Sequence, residues 1–273
     1  MKLSNKYEVI GLESRVISPG ESVFEAFKES LSKNHVELTD GDIIVIASKV
    51  FSYEEKRLIR LKDIIPSSHA KWIANKAQMD PKVAEIVIRE SNNQIVGWVF
   101  HVLLAYTDHG LSANAGIDQS NAPPGYILLL PKNPDLTAKK FMDTLKEEYD
   151  VKVGVIIIDS RTIPLRRGTS AIALGVAGIP AIIDERGEKD IYGYEMMITT
   201  RALADNIGTA ATLIMGETSE KRPFAIVRGL GLDIDENLYS SEDAKIKPQD
   251  CLYVGPLYDE IKTRIKKIQD EQI

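Results

Sequence analysis

"KVGVIIIDS", residues 152–160, is an apolar run that stops at an acid and a hydroxyl. From Val155 to Ile158 it offers no polar face, so it predicts a buried strand. Asp159 ends the run. An acid at the end of a buried strand stands at the rim of a sheet, where α/β proteins commonly hold ligands. A second such run is "DGDIIVIASKV", residues 40–50. Asp40-Gly41-Asp42 reads as a turn, Ile43 to Ala47 as a buried strand, and Ser48 and Lys49 stand at its end.

Helical patterns alternate with these strands. "ESVFEAFKESLSKNHV" carries Val23, Phe24, Phe27 and Leu31 at helical spacing. "SSHAKWIANKAQ" and "DPKVAEIVIRES" predict two short helices, the second capped by Asp80 with Pro81 at its first position. In "NPDLTAKKFMDTLKEEYD", Leu136, Phe141, Met142 and Leu145 are expected to face inward. "GYEMMITTRALADNIGTAATLIMGE" predicts one long helix, broken near Gly208 and ending on Glu217. "IVGWVFHVLLAYTDHG", "GYILLLP" and "RPFAIVRG" predict strands. "LYDEIKTRIKKIQDEQ" places Leu257, Ile261, Ile265 and Ile268 about one turn apart, a C-terminal helix. The content is mixed α and β, and the pattern leaves parallel and antiparallel pairing open. The composition turns polar after Arg228, the mildest candidate boundary.

The 273 residues carry a net charge of -6, with 44% hydrophobic residues. That suits a folded protein with a sizeable core and argues against a general nucleic-acid surface, which needs a dense basic face. A single cysteine, Cys251, excludes an intrachain disulfide and a thiolate zinc site, and fits a reducing cytoplasm. No apolar stretch approaches the length of a membrane span, and the N-terminus lacks the apolar core of a signal peptide.

Three acids close apolar runs: Asp118 in the small polar loop "SANAGIDQSN", Asp159, and Glu217. Any one of them serves more often as a cap or turn residue than as a ligand. Gathered in one pocket they would repel one another, and a divalent cation would resolve that. Ser160 adds a hydroxyl. Arg161, Arg166 and Arg167 follow at once, as solvated surface charges or as clamps for phosphate or carboxylate. No phosphate loop of the GxxxxGK[ST] type is present.

"GDIIVIASKV", "NAGIDQSN", "VGVIIIDS", "RRGTSAIALGVAGI", "DERGEKDIYGYEM", "ADNIGTAATLIMGE" and "PFAIVRG" occur in this order. Together they resemble the coenzyme F420-0:L-glutamate ligase (F420-0 gamma-glutamyl ligase) family, over most of the chain from about Gly11 to about Gly229. The resemblance implies an α+β, mixed-sheet fold particular to the family, with a larger N-terminal and a smaller C-terminal part, in an intertwined homodimer. It implies a ligase core over residues 1–230 and a helical tail, 231–273, packed on it. The implied activity is GTP-dependent addition of L-glutamate to F420-0 through an acyl phosphate, followed by a gamma-linked glutamate. The implied ions are Mn2+ or Mg2+, with K+ as a further one. By position in the motifs, Asp118, Asp159, Ser160 and Glu217 correspond to metal ligands. Leu12, Ser48, Lys49, Asn121, Met215, Gly216, Thr218 and Ser219 correspond to nucleotide contacts. Asp118, Asp159, Arg166 and Arg167 are the expected catalytic set.

The chain departs from the family pattern at several positions. Tyr53 stands where the family has a nucleotide-binding lysine, with Lys49 and Lys56 as candidate substitutes. Thr162-Ile163 replaces Gly-Arg, Leu165 replaces an aromatic residue, and the N-terminal loop "GLESRVISPG" is longer. Two alternatives stay open: a paralogue that glutamylates another acceptor, and a catalytically silent nucleotide-binding protein on the same scaffold.

Overall fold

The structure, a computed structural model, describes residues 3–235 and 239–271. Strand β1 (Glu8–Leu12), helix α1 (Val23–Lys33), β2 (Ile43–Ala47), α2 (Ser48–Glu54) and β3 (Leu58–Arg60) come first. Helices α3 (Ser68–Ala77) and α4 (Pro81–Glu90) follow, then β4 (Ile95–Val99), β5 (Val102–Thr107), β6 (Gly110–Ala113) and β7 (Tyr126–Leu128). Helix α5 (Pro134–Tyr149) leads into β8 (Gly154–Thr162) and β9 (Thr169–Ala177). Last come β10 (Ile183–Asp184), β11 (Thr200–Arg201), α6 (Leu203–Met215), β12 (Phe224–Arg228) and α7 (Tyr258–Asp270).

The chain divides into two compact units. One takes the chain up to Lys56 together with Pro131–Ala244; the other takes Arg57–Leu130 and the chain from Lys245. Residues 231–273, expected as one tail, are shared between them.

The first unit is built on a five-stranded mixed sheet in the order β1-β12-β2-β8-β9. Only β2 and β8 run parallel; the other pairs are antiparallel. Side chains alternate across a strand, and β2 is apolar at every position because helices cover both faces. Ile44 and Ile46 enter one core with Phe27 of α1 and Phe141 of α5. Ile43 and Val45 enter the other with Leu203 and Ile207 of α6. The apolar stripe of α5 runs through Pro134, Ala138, Phe141, Met142 and Leu145. Leu136, expected inside, lies off that stripe and is half exposed. Asp42, fully buried at the start of β2, accepts two hydrogen bonds from Arg228, at 2.8 and 2.7 Å, and one from Thr39 N at 2.9 Å. Removing Arg228 alone would leave a buried carboxylate without its charge partner, a change that costs about 3–5 kcal/mol.

The long helix expected before Glu217 differs from the structure in two respects. Helix α6 begins only at Leu203, and residues 183–201 form an antiparallel hairpin instead. Gly208 does not break α6. A Cβ there would lie 2.8 Å from Ile158 Cγ2 and 3.3 Å from Ala171 Cβ, so the glycine lets the helix approach β8 and β9.

In the second unit, α3 and α4 pack with the antiparallel sheet β4-β5-β6 and the β3–β7 pair. Their shared core includes Ile73, Ile86, Leu103 and Ile127. Asp80 caps α4 by accepting from Lys82 N at 2.8 Å, with Pro81 in the first turn, as the sequence predicts. Helix α7 lies on β4, with Ile268 in the core and the Arg264 guanidinium 5.8 Å from the Trp98 ring centroid. Gln272, expected in this helix, lies outside the described residues. Among the described residues no helix is long and apolar enough to cross a membrane.

Candidate functional site

Strand directions bring the carboxyl ends of β1, β2 and β8 to one rim of the sheet. In register, Leu12 of β1 faces Phe224, Phe224 faces Ile46 of β2, and Ile46 faces Ile157 of β8. Two bonds beyond the strands tie the same rim together: Ser14 N to Lys221 O at 2.8 Å and Ala47 N to Pro223 O at 2.9 Å. Ser48 and Lys49 open α2 directly after β2, and the loop after α6 enters β12 at this edge. The rim of the first unit therefore holds Leu12, Ser48, Lys49, Asp159, Ser160, Arg166, Arg167, Met215, Gly216, Glu217, Thr218 and Ser219.

Strand β8 does not end at Asp159, as the sequence led us to expect. It continues to Thr162, because β9 pairs with it over Asp159↔Ile172, Ser160↔Ala171, Arg161↔Ser170 and Thr162↔Thr169. Strand β2 has by then turned into α2, its last partner being Ile158. Asp159 thus sits inside a two-stranded extension of the sheet.

Alternation separates the two site residues of this stretch. Ile157 faces the core under α1 and α5, and Ile158 faces the core under α6. Asp159 and Arg161 continue the first face and Ser160 the second. Asp159 Oδ2 accepts from Arg161 Nε at 2.9 Å, with side chains only 14% and 11% exposed. On the other face, Ser160 Oγ lies 2.8 and 3.0 Å from the two carboxylate oxygens of Glu217. Thr169 Oγ1 donates to the same carboxylate at 3.2 Å.

The loop that carries Glu217 is shaped by Gly216. Its φ of 77° ends α6, a conformation open to glycine. A Cβ there would lie 2.2 Å from Glu220 Cδ. Glu220 in turn accepts from Thr218 N at 2.8 Å and Thr218 Oγ1 at 3.1 Å. Backbone hydrogen bonds from its own N–H and from Thr218 hold the Glu220 carboxyl below its ordinary value.

Leu12 is fully buried and its side chain belongs to the first core. Ser48 and Met215 are also buried, at 2% and 5% exposure. Arg166 and Arg167 stand exposed on the hairpin loop between β8 and β9. Lys49 and Tyr53 share one face of α2, at helical i, i+4 spacing. Tyr53 packs partly buried against the first core, and burial pushes its phenol up from the ordinary value. Lys56 folds its stem over the Gly20 turn, where a Cβ would meet Lys56 Cε at 2.5 Å.

Asp118 and Asn121 belong to the second unit. There Asn114, Ala115 and Gly116 take successive positive φ values of 49, 55 and 76°. Ala115 is 4% exposed in the core of that unit, so the small residues serve a left-handed turn that must also pack. Asp118 pairs with Leu128 through two backbone bonds, and its carboxylate accepts from Ser120 N and Ser120 Oγ, both at 2.7 Å. It lines a cavity of about 330 Å³ with Asp80, His101, Asn114 and Gln119.

The first unit thus brings together Ser160 and Glu217, with Asp159 on the opposite face of β8 and Asp118 on the second unit. Among the described residues no three His, Cys, Asp or Glu side chains are gathered as metal ligands. The donors on the rim are carboxylate and hydroxyl oxygens, the hard type that Mg2+ and Mn2+ take. Sequence reasoning passed over Thr169. Its role depends on the β8–β9 register, which places it across from Thr162.

The profile of the family described as F420-0:Gamma-glutamyl ligase matches residues 11–229. The coenzyme F420:L-glutamate ligase of Methanopyrus kandleri is 39% identical over 230 residues, 84% of this chain and 89% of the relative. That of Methanocaldococcus jannaschii is 40% identical over 230 residues, 84% and 90% of the two chains. That of Archaeoglobus fulgidus is 36% identical over 219 residues, 79% and 88%. With a matching profile across most of its length and relatives above a third identical along nearly their whole chains, the chain belongs to the F420-0:gamma-glutamyl ligase family.

Proposed function

We propose that the chain is a ligase of coenzyme F420 biosynthesis that joins L-glutamate to F420-0 with GTP as co-substrate. One observation supports it most directly. Ser160 and Glu217, reached by separate motifs of the family, meet at the carboxyl ends of parallel strands β2 and β8, and Asp159 stands next to Ser160 on the opposite face of β8.

A carboxylate is a poor electrophile. The acceptor carboxylate attacks the γ-phosphorus of GTP, the bond from that phosphorus to the β–γ bridging oxygen breaks, and GDP leaves. The amine of glutamate then attacks the acyl phosphate carbon, phosphate leaves, and the amine gives up a proton. A further gamma-linked glutamate follows by the same steps. Phosphoryl transfer asks the protein mainly for positioning and charge neutralisation. The residues of choice for the divalent cation, Mn2+ or Mg2+, are Asp159, Ser160 and Glu217. Bound there, the cation would neutralise phosphate charge, and K+ would be a further ion. Arg166 and Arg167 clamp anionic substrate groups. Ser48, Lys49, Gly216, Thr218 and Ser219 contact the nucleotide, as do Leu12 through its backbone and Met215 beside Gly216.

The working unit is a homodimer. The hairpin of residues 183–201 supports this, since it exposes Ile191, Tyr192, Tyr194, Met197 and Ile198 at 91, 81, 75, 72 and 87%. Solvent-exposed apolar residues in such a run mark an interaction surface.

Ile163 and Leu165, both exposed where the family carries arginine and an aromatic residue, favour a second reading: the same chemistry on a different acceptor carboxylate. Incubation with GTP, Mn2+, glutamate and F420-0, followed by mass spectrometry, separates the two. Product on F420-0 supports the first. GTP hydrolysis that depends on glutamate, without such product, supports the second.

A further inference from the structure

Arg161 was one of three guanidiniums noted after Asp159, and the structure sets it apart from Arg166 and Arg167. Those two are exposed, whereas the Arg161 side chain is only 11% exposed. Its Nε donates to Asp159 Oδ2 at 2.9 Å. Its Nη2 is buried and has no hydrogen-bond partner among the described residues. A guanidinium cannot shed its proton to escape this, and it presents donors in a rigid fork. Buried polar groups are almost always partnered, so an orphaned charged donor calls for an acceptor that arrives from elsewhere. A phosphate oxygen is the acceptor that a guanidinium fork fits best. It must lie beside the carboxylate of Asp159, on the same face of β8.

We infer that Arg161 binds a phosphate oxygen of the nucleotide, with Asp159 fixing the guanidinium so that Nη2 faces that oxygen. The inference rests on the ligase reading and adds a residue to its nucleotide site. It also bears on a departure from the family pattern. Ile163, just past the end of β8, stands where the family has arginine, and Arg161 supplies a cation two residues earlier, within β8. The alternative role for Arg161 is to neutralise Asp159 and nothing more. Arg161→Lys distinguishes the two, since lysine keeps the charge and loses the fork.

The test titrates a fluorescent N-methylanthraniloyl derivative of GDP into the full-length protein with Mn2+ present. Parent, Arg161→Lys and Arg161→Gln are compared, with Mn2+ binding measured separately by electron paramagnetic resonance. The expected result is a loss of nucleotide affinity of about ten- to a hundredfold in both variants. Arg161→Lys is expected to keep the Mn2+ affinity and melting temperature of the parent. Nucleotide binding by Arg161→Lys equal to that of the parent overturns the inference and leaves Arg161 as a counter-ion. A loss confined to the KM for glutamate overturns it as well, since the anion would then be a carboxylate. A parent that binds no guanine nucleotide removes the ligase reading beneath it. A parent that binds and forms product beside an unaffected Arg161→Lys removes this inference alone.

Discussion

Glu217 is an exposed acid whose carboxylate is nevertheless held, by Ser160 at 2.8 and 3.0 Å and by Thr169 at 3.2 Å. Hydroxyls that orient a metal-binding carboxylate are commonly worth 10–100-fold in metal affinity. Thr169→Val should therefore weaken Mn2+ binding about tenfold, and Glu217→Ala by more, in a titration followed by electron paramagnetic resonance. Thr169→Ser should restore it. An unchanged Mn2+ affinity in Glu217→Ala would remove that residue from the metal site. At this scale the sequence was informative where one side chain carries the signal. Asp159, Ser160 and Glu217 each stand at the end of an apolar run and could be picked out singly. Thr169 could not, because its partner lies 48 residues away and only the hairpin register joins them.

Helices α3 and α4 and strands β2 and β12 follow their sequence patterns closely, since each has clean periodicity and a cap or turn at its ends. Helix α6 does not. The apolar residues Met197 and Ile198 extend its pattern backwards, yet they are exposed on a hairpin. A periodic count cannot distinguish residues that face a core from residues that face outward. Gly208 was misread for a related reason: glycine lowers helix propensity, but here it permits close packing. Gly208→Ala should therefore destabilise the protein by about 1–3 kcal/mol through the clash with Ile158, despite alanine's better propensity. Thermal or urea unfolding would measure it, and a gain in stability would show the contact to be loose. The same helix carries Asp205, whose carboxylate accepts from Ala173 N at 2.8 Å. Burial raises its pKa above the ordinary value, against the smaller opposing effect of that bond. A raised carboxylate pKa means full stability below the unfolded value and a loss as pH rises through the folded one. Asp205→Asn keeps the acceptor and removes the charge, so its melting temperature should exceed the parent's more at pH 8 than at pH 4. An equal difference at both would refute the burial argument.

For the whole molecule, mixed α and β content was legible, and the sheet order was not. β12 lies between β1 and β2 although it comes from the far end of the matched region, and no local pattern encodes such a pairing. The division into two units was equally hidden, since the second is assembled from two separate stretches of chain. Assembly is tested by light scattering at micromolar concentration. A homodimer is expected, with Ile191→Lys combined with Ile198→Lys shifting it toward monomer. A parent that is monomeric would remove the hairpin as its interface. The central claim is the reaction, and mass spectrometry of F420-0 incubated with the protein, GTP, Mn2+ and L-glutamate tests it most directly. The account predicts a product heavier than F420-0 by one glutamyl residue, then by two, formed only when GTP and glutamate are both present. F420-0 of unchanged mass beside a relative that converts it under the same conditions would contradict the account.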